Sequence, residues 1–246
     1  MEFKISFSGR AHAYSDEEID TVVTAMKDAN PLTQGKYLKA FEEKFRYYIG
    51  TGYAFAVCNA TAALEISAQL CQFQVGDEVI IPSHTFTSTA YPFAKKGARI
   101  VWADIDLKSR VVTAQTLAKR ITPKAKAIVV PHLYGFGAEM PEIMALAERH
   151  NLLVVEDAAQ VLGVDVAGKK AGSFGDFGVF SFHSHKNITT LGEGGMLVGK
   201  DEQGLRRKAL GGRCLRSLSD GVFPSSGGFL FPRACVQSPV RGFSET

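Results

Sequence analysis

A chain of 246 residues is long enough for one large domain or two small ones, and its 46% hydrophobic content is that of an ordinary globular protein. A formal charge of +3, with acidic and basic residues interspersed, offers no stripe on which a nucleic acid would bind. No apolar run is long enough to span a bilayer, and the N-terminus lacks a charged stretch leading into an apolar one, so neither membrane insertion nor a signal peptide is expected. Cys58, Cys71, Cys214 and Cys235 are scattered without a CxxC pair, which points to reduced thiols in a cytoplasmic protein. Cys58 is expected to pack as a small buried residue.

In chain order, Ser15-Asp16-Glu17-Glu18 predicts a capping box, followed by Ile19, Val22, Val23 and Met26 on one helical face. A second helix places Leu38, Phe41, Phe45 and Ile49 on one side and stops at Gly50. Short apolar runs then appear at 53–57, 79–81, 100–103, 127–130 and 152–155, with helical stretches between them such as 62–70 and 140–150. Strands rich in Val and Ile alternating with helices predict an α/β fold: a mostly parallel central sheet with helices on both faces. Strand-like segments follow at 161–166, 177–182 and 196–198, and a charged helix is expected from Asp201. From 211 the chain is dense in Gly, Ser, Pro and Arg, with Asp220 and Glu245 its only acids. The plain reading of that stretch is a disordered tail.

In an open parallel sheet, ligands bind beyond the carboxyl ends of the strands. After 53–57 comes Cys58-Asn59-Ala60-Thr61-Ala62-Ala63-Leu64, which opens a helix and offers its N–H groups to an anion, unless Thr61 is simply a cap. After 79–81 comes Pro82-Ser83-His84-Thr85-Phe86, where Phe86 is either core or the face of a flat ligand. After 152–155 comes Glu156-Asp157-Ala158-Ala159-Gln160, and a carboxylate there needs a cationic partner. After 177–182, Ser181-Phe182-His183-Ser184-His185-Lys186-Asn187 sets a lysine at a strand end. Taken singly, each feature has a bland reading. Together they form the set that pyridoxal 5'-phosphate requires: a lysine for its aldehyde, an acid for its ring nitrogen, an anion cradle and a flat side chain.

These motifs, with His132-Leu133-Tyr134-Gly135 and Gly192-Glu193-Gly194-Gly195, resemble those of the DegT/StrS-like nucleotide-sugar aminotransferases over about 7–207. The resemblance implies the large domain of the aspartate-aminotransferase-like fold. It implies Lys186 as the catalytic, cofactor-bearing lysine and Asp157 as the partner of the ring nitrogen. Gln160 would bond the ring hydroxyl, Phe86 would stack on the ring, and Thr61, Ala62 and Ser181 would hold the phosphate. It further implies a nucleotide-linked keto-deoxysugar as substrate, glutamate as amino donor and a homodimer. Relatives that remove a sugar hydroxyl carry histidine where this chain has Lys186, so the lysine favours transamination.

The chain departs from the family after 210. Lys208-Ala209-Leu210-Gly211-Gly212-Arg213 stands where an Arg-His-Asn-Gly-like segment is expected. The expectation is a segment at 1–14, a cofactor-binding domain at 15–210 and an atypical tail at 211–246, with the small C-terminal domain missing. The alternative function is accordingly a truncated cofactor-binding fragment without turnover. A nicotinamide dehydrogenase lacks support, because Gly135-Phe136-Gly137 is not followed by a third glycine. No metal is expected: His183 and His185 have no Cys or carboxylate set to complete a coordination sphere.

Overall fold

The structure, a computed structural model, describes residues 13–31 and 33–200. The helix expected from Asp201, the family segment expected near 208–213 and the tail from 211 lie outside the described residues, as do Cys214 and Cys235.

The first helix, α1 (Asp16–Asp28), begins as its sequence dictates. Ser15 Oγ accepts the Glu18 N–H at 3.2 Å, and the Glu18 carboxylate accepts the Ser15 N–H at 2.8 Å. Its apolar face forms but is not buried, with Met26 75% exposed. Helix α2 (Lys36–Ile49) ends at Gly50, whose φ of 76° is the left-handed conformation that glycine adopts without steric cost. On its buried side, Phe41 and Phe45 meet Phe182 and Phe180 edge to face.

Strands β1 (Tyr53–Val57), β2 (Glu78–Pro82), β3 (Arg99–Ala103), β4 (Ala125–Pro131) and β5 (Leu153–Asp157) follow the apolar runs closely. Between them lie α3 (Ala60–Leu70), the short α4 (Tyr91–Lys95) and α5 (Ala114–Ala118), and α6 (Met140–Arg149). One expected strand is largely absent. Of 161–166 only β6 (Asp165–Val166) is extended, paired with β7 (Lys169–Lys170) in a small hairpin. Gly163, at φ 93°, turns the chain before it, and the apolar Val161 is buried in a turn rather than a strand. Strands β8 (Phe177–Ser181) and β9 (Gly195–Gly199) complete the set.

The main sheet has seven strands in the order β1-β9-β8-β5-β4-β2-β3. Pairings from β3 through β8 are parallel, whereas β9 runs antiparallel to both β1 and β8. Alternation along the strands sorts the core. Val79, Ile81, Val129, Val155, Val179 and Leu197 pack under α3 and α4. Ile80, Ile128, Val130 and Val154 pack under α5 and α6, and Phe180, Met196 and Val198 pack under α2. Both faces are therefore covered, which is why these strands read as continuous apolar runs. Each fully buried Ile or Leu in this core contributes about 1.5–3 kcal/mol of transfer free energy.

Candidate active site

Because β1, β2, β4, β5 and β8 point the same way, their carboxyl ends meet at one edge of the sheet. A cavity of about 430 Å³ lies there. Thr61, Phe86, Asp157, Gln160, Ser181 and Lys186 all line it. Residues 125 positions apart in sequence, Thr61 and Lys186, thus share one wall-to-wall space, as the parallel topology requires.

On β5, neighbouring carboxylates diverge. Asp157 falls on the α3 side of the sheet and is 7% exposed. Its Oδ2 accepts the Thr89 hydroxyl at 2.7 Å and its Oδ1 the Ala159 N–H at 3.2 Å. Glu156 falls on the other side and is fully buried. Its two oxygens accept the N–H groups of Gly172, Phe174 and Gly175 at 2.7–2.8 Å, and Nε2 of His132 lies 3.0 Å away. The His132 tautomer follows from its surroundings: Nδ1 accepts the Ala138 N–H at 3.0 Å, so the proton sits on Nε2 and is donated to Glu156.

One end of the cavity is formed by the start of α3. Its cap is Asn59, whose Oδ1 accepts the Ala62 N–H at 2.9 Å; Thr61 is not the cap and instead lines the cavity. Ala62 stands apart from the other expected residues, since its N–H is engaged by Asn59 and it does not line the cavity. The helix start nevertheless places a positive dipole end against the cavity. Close approach of α3 to β9 requires Gly195: a Cβ there would lie 2.4 Å from the Asn59 carbonyl carbon and 2.6 Å from the Ala60 nitrogen. Cys58, expected to be buried beside this turn, is exposed. The chain leaves the sheet at that point, before α3 covers it.

The loop bearing Lys186 is stitched to the 192–194 segment. Phe182 N–H donates to Gly194 O and Ser184 N–H to Gly192 O, each at 2.8 Å, while Lys186 N–H closes a turn onto His183 O at 2.8 Å. His183 Nδ1 accepts the His185 N–H at 3.2 Å, which leaves the Nε2 proton facing Glu193 Oε1 at 3.4 Å. Phe86 is 68% exposed, with its ring at the cavity rather than in the core. Gln160 Oε1 accepts the Tyr134 N–H at 3.0 Å, so its amide NH2 is the group left to act in the cavity.

Sequence reasoning missed Ser88 and Thr89, which also line the cavity, as does Glu193 of the quoted 192–195 motif. Thr89 carried a weak signal: it lies one helical turn after Thr85 in a run of small hydroxyl residues behind a strand end. Among the described residues, no three His, Cys, Asp or Glu side chains converge as a metal site, and no helix is long and apolar enough to cross a membrane.

The fold and cavity define an α/β protein in which a lysine and an acid line one cavity beside the start of a helix. The chain belongs to the DegT/DnrJ/EryC1/StrS aminotransferase family, which it matches over residues 13–218. It is 39% identical over 203 residues to the UDP-N-acetyl-3-dehydro-alpha-D-glucosamine 3-aminotransferase of Acidithiobacillus ferrooxidans, covering 82% of this chain and 55% of that one. An aminotransferase structure from Psychrobacter cryohalolentis superposes with a TM-score of 0.77 at 37% identity, over 82% of this chain and 51% of that one. The GDP-4-keto-6-deoxy-D-mannose-3-dehydratase of E. coli, solved with hydrated PLP, gives 0.76 at 26% identity, over 82% and 53%. The described sheet is the central sheet of that aminotransferase fold. The chain spans about half the length of the curated relatives it matches.

Proposed function

We propose that this protein is a pyridoxal-phosphate-dependent aminotransferase acting on a nucleotide-linked keto-deoxysugar, with glutamate as amino donor. The observation that carries the reading is that Lys186 and Asp157 line the same cavity, with the start of α3 at its edge. The residues present fit the cofactor. Asp157 has a buried carboxylate with Oδ2 and Oδ1 each taking one protein hydrogen bond, and it retains lone pairs for a ring N–H. Thr61 and Ser181 supply hydroxyls beside the helix start for a phosphate, to which Ala62 would add through the α3 dipole. Phe86 offers an exposed ring face, and the Gln160 amide NH2 a donor for the ring hydroxyl.

When bound, pyridoxal phosphate supplies an electron sink for charge that develops on the substrate's amino-bearing carbon. This chain's residues would do the rest. Lys186 would be the covalent attachment point, and its Nζ, once released, would take up the proton that leaves that carbon. Asp157 holds the ring-nitrogen proton in place. Lysine rather than histidine at 186 favours transfer of an amino group over removal of a hydroxyl. The domain concerned is 15–210, and the setting proposed is a cytoplasmic homodimer serving polysaccharide biosynthesis.

The test begins with purified full chain, pyridoxal phosphate and borohydride. A phosphopyridoxyl mass on the Lys186 peptide, absent in Lys186→Ala, is expected. A label that persists in that variant overturns the reading. Incubation with a nucleotide-linked keto-deoxysugar and glutamate should then yield the amino sugar, whereas labelling without product would favour a fragment that binds cofactor and does not turn over.

A further inference from the structure

The cavity holds a buried hydroxyl that the proposed chemistry does not use. Thr89 is fully buried, in the short 3-10 turn Thr87–Thr89 that follows Phe86. Its hydroxyl donates to Asp157 Oδ2 at 2.7 Å and accepts from the Thr85 hydroxyl at 2.8 Å. The direction of this chain is fixed by chemistry. An ionised carboxylate only accepts, so Thr89 must give it its one proton, and the Thr89 oxygen is then free to receive the proton of Thr85. A hydrogen bond to a charged acceptor is stronger than a neutral one, and a chain of them polarises in one direction.

The same link spans two elements. Thr85 and Thr89 flank Phe86 on the segment after β2, while Asp157 ends β5. The Thr89 N–H also donates to the Phe86 carbonyl at 2.9 Å, which fixes the backbone that carries the ring. One residue therefore touches both the acid at one side of the cavity, through its hydroxyl, and the turn that presents the aromatic face, through its N–H.

We propose that Thr89, backed by Thr85, is a positioning residue that aims the Asp157 carboxylate at the cofactor's ring nitrogen and ties the Phe86 turn to it. The inference rests on the cofactor reading above. It concerns a residue that acts through Asp157 rather than on the reacting atoms.

The test compares binding of pyridoxal phosphate with that of its 1-deaza analogue, in which CH replaces the ring nitrogen, using wild type, Thr89→Val, Thr89→Ser and Asp157→Ala. Thr89→Val, nearly isosteric, should weaken pyridoxal phosphate about ten- to a hundredfold while changing the analogue little. Thr89→Ser should restore wild-type binding. Thr89→Val placed on Asp157→Ala should add almost nothing, as a double-mutant cycle requires of a residue acting through its neighbour. Equal losses for both ligands, or a full further loss on the Asp157→Ala background, would overturn the proposal. Should Thr89→Val fail to fold, Thr85→Val must show a smaller loss with the same selectivity, and equal loss there overturns it too. Wild-type protein that binds neither ligand would sink the cofactor reading itself, an outcome distinct from the others, and the proposal with it.

Discussion

Glu156 and Asp157 are consecutive on one strand, yet their carboxylates serve opposite sides of the sheet. Glu156 is enclosed by three backbone N–H groups and the His132 imidazole, whereas Asp157 opens onto the cavity beside Thr89. The strand's two-residue period separates an acid enclosed by the fold from one that faces the cavity.

That separation predicts opposite phenotypes for two similar substitutions. Glu156→Gln replaces an acceptor oxygen by a donor in a pocket made of donors, and should cost about 2–4 kcal/mol in urea unfolding. Asp157→Asn should change unfolding by less than about 1 kcal/mol while weakening pyridoxal phosphate binding at least tenfold. Equal destabilisation by both would contradict the division.

Gly195 is predicted to be irreplaceable for steric reasons. A methyl group there would stand 2.4 Å from backbone atoms at the start of α3. Gly195→Ala should therefore destabilise the fold by about 1–3 kcal/mol. It should also displace the helix start, so that affinity for pyridoxal phosphate falls while that for phosphate-free pyridoxal changes less. A variant with unaltered preference for the phosphate form would show that this close contact does not set the anion site.

Glu42 on α2 predicts a pH effect. Burial pushes its carboxyl above the ordinary carboxylate range, against the weaker opposing effect of the Ala56 N–H that it accepts at 2.8 Å. A folded-state pKa above the unfolded one means the folded state holds the proton more tightly. The resulting stability is present below the unfolded value and is lost as pH rises through the folded one. Glu42→Gln should thus gain over wild type in urea midpoint at about pH 7, with the gap closing near about pH 4. A gap that widens on acidification would reverse the sign and refute the argument.

Much of this was legible because the sheet is parallel and covered on both faces, so that each strand announces itself as an apolar run ending in a polar motif. The run 53–57 matches β1 residue for residue, and the motifs around Thr61, Phe86, Asp157, Gln160, Ser181 and Lys186 converge on one cavity. What was hidden depends on direction and close approach. Val161 looked like the start of a strand, but burial in a turn demands the same apolar side chain. The five-residue helices α4 and α5 are too short to display a period. Ala62 reads as part of an anion site until the Asn59 side chain is seen to occupy its N–H. Exposure of Cys58 and of the α1 apolar face depends on which neighbours come to cover them, and no local pattern states that.

The place of β9 has a consequence for assembly. Within the main sheet β1 is hydrogen-bonded to β9, and β9 in turn to β8, so the first strand of the sheet joins the rest through the last one described. During synthesis, β1 therefore has no sheet partner until residues 195–199 leave the ribosome. Pairing of β1 with the rest of the sheet is then a late event, across a sequence separation that makes closure slow and leaves the unpaired edge of β1 open to misassociation in the meantime.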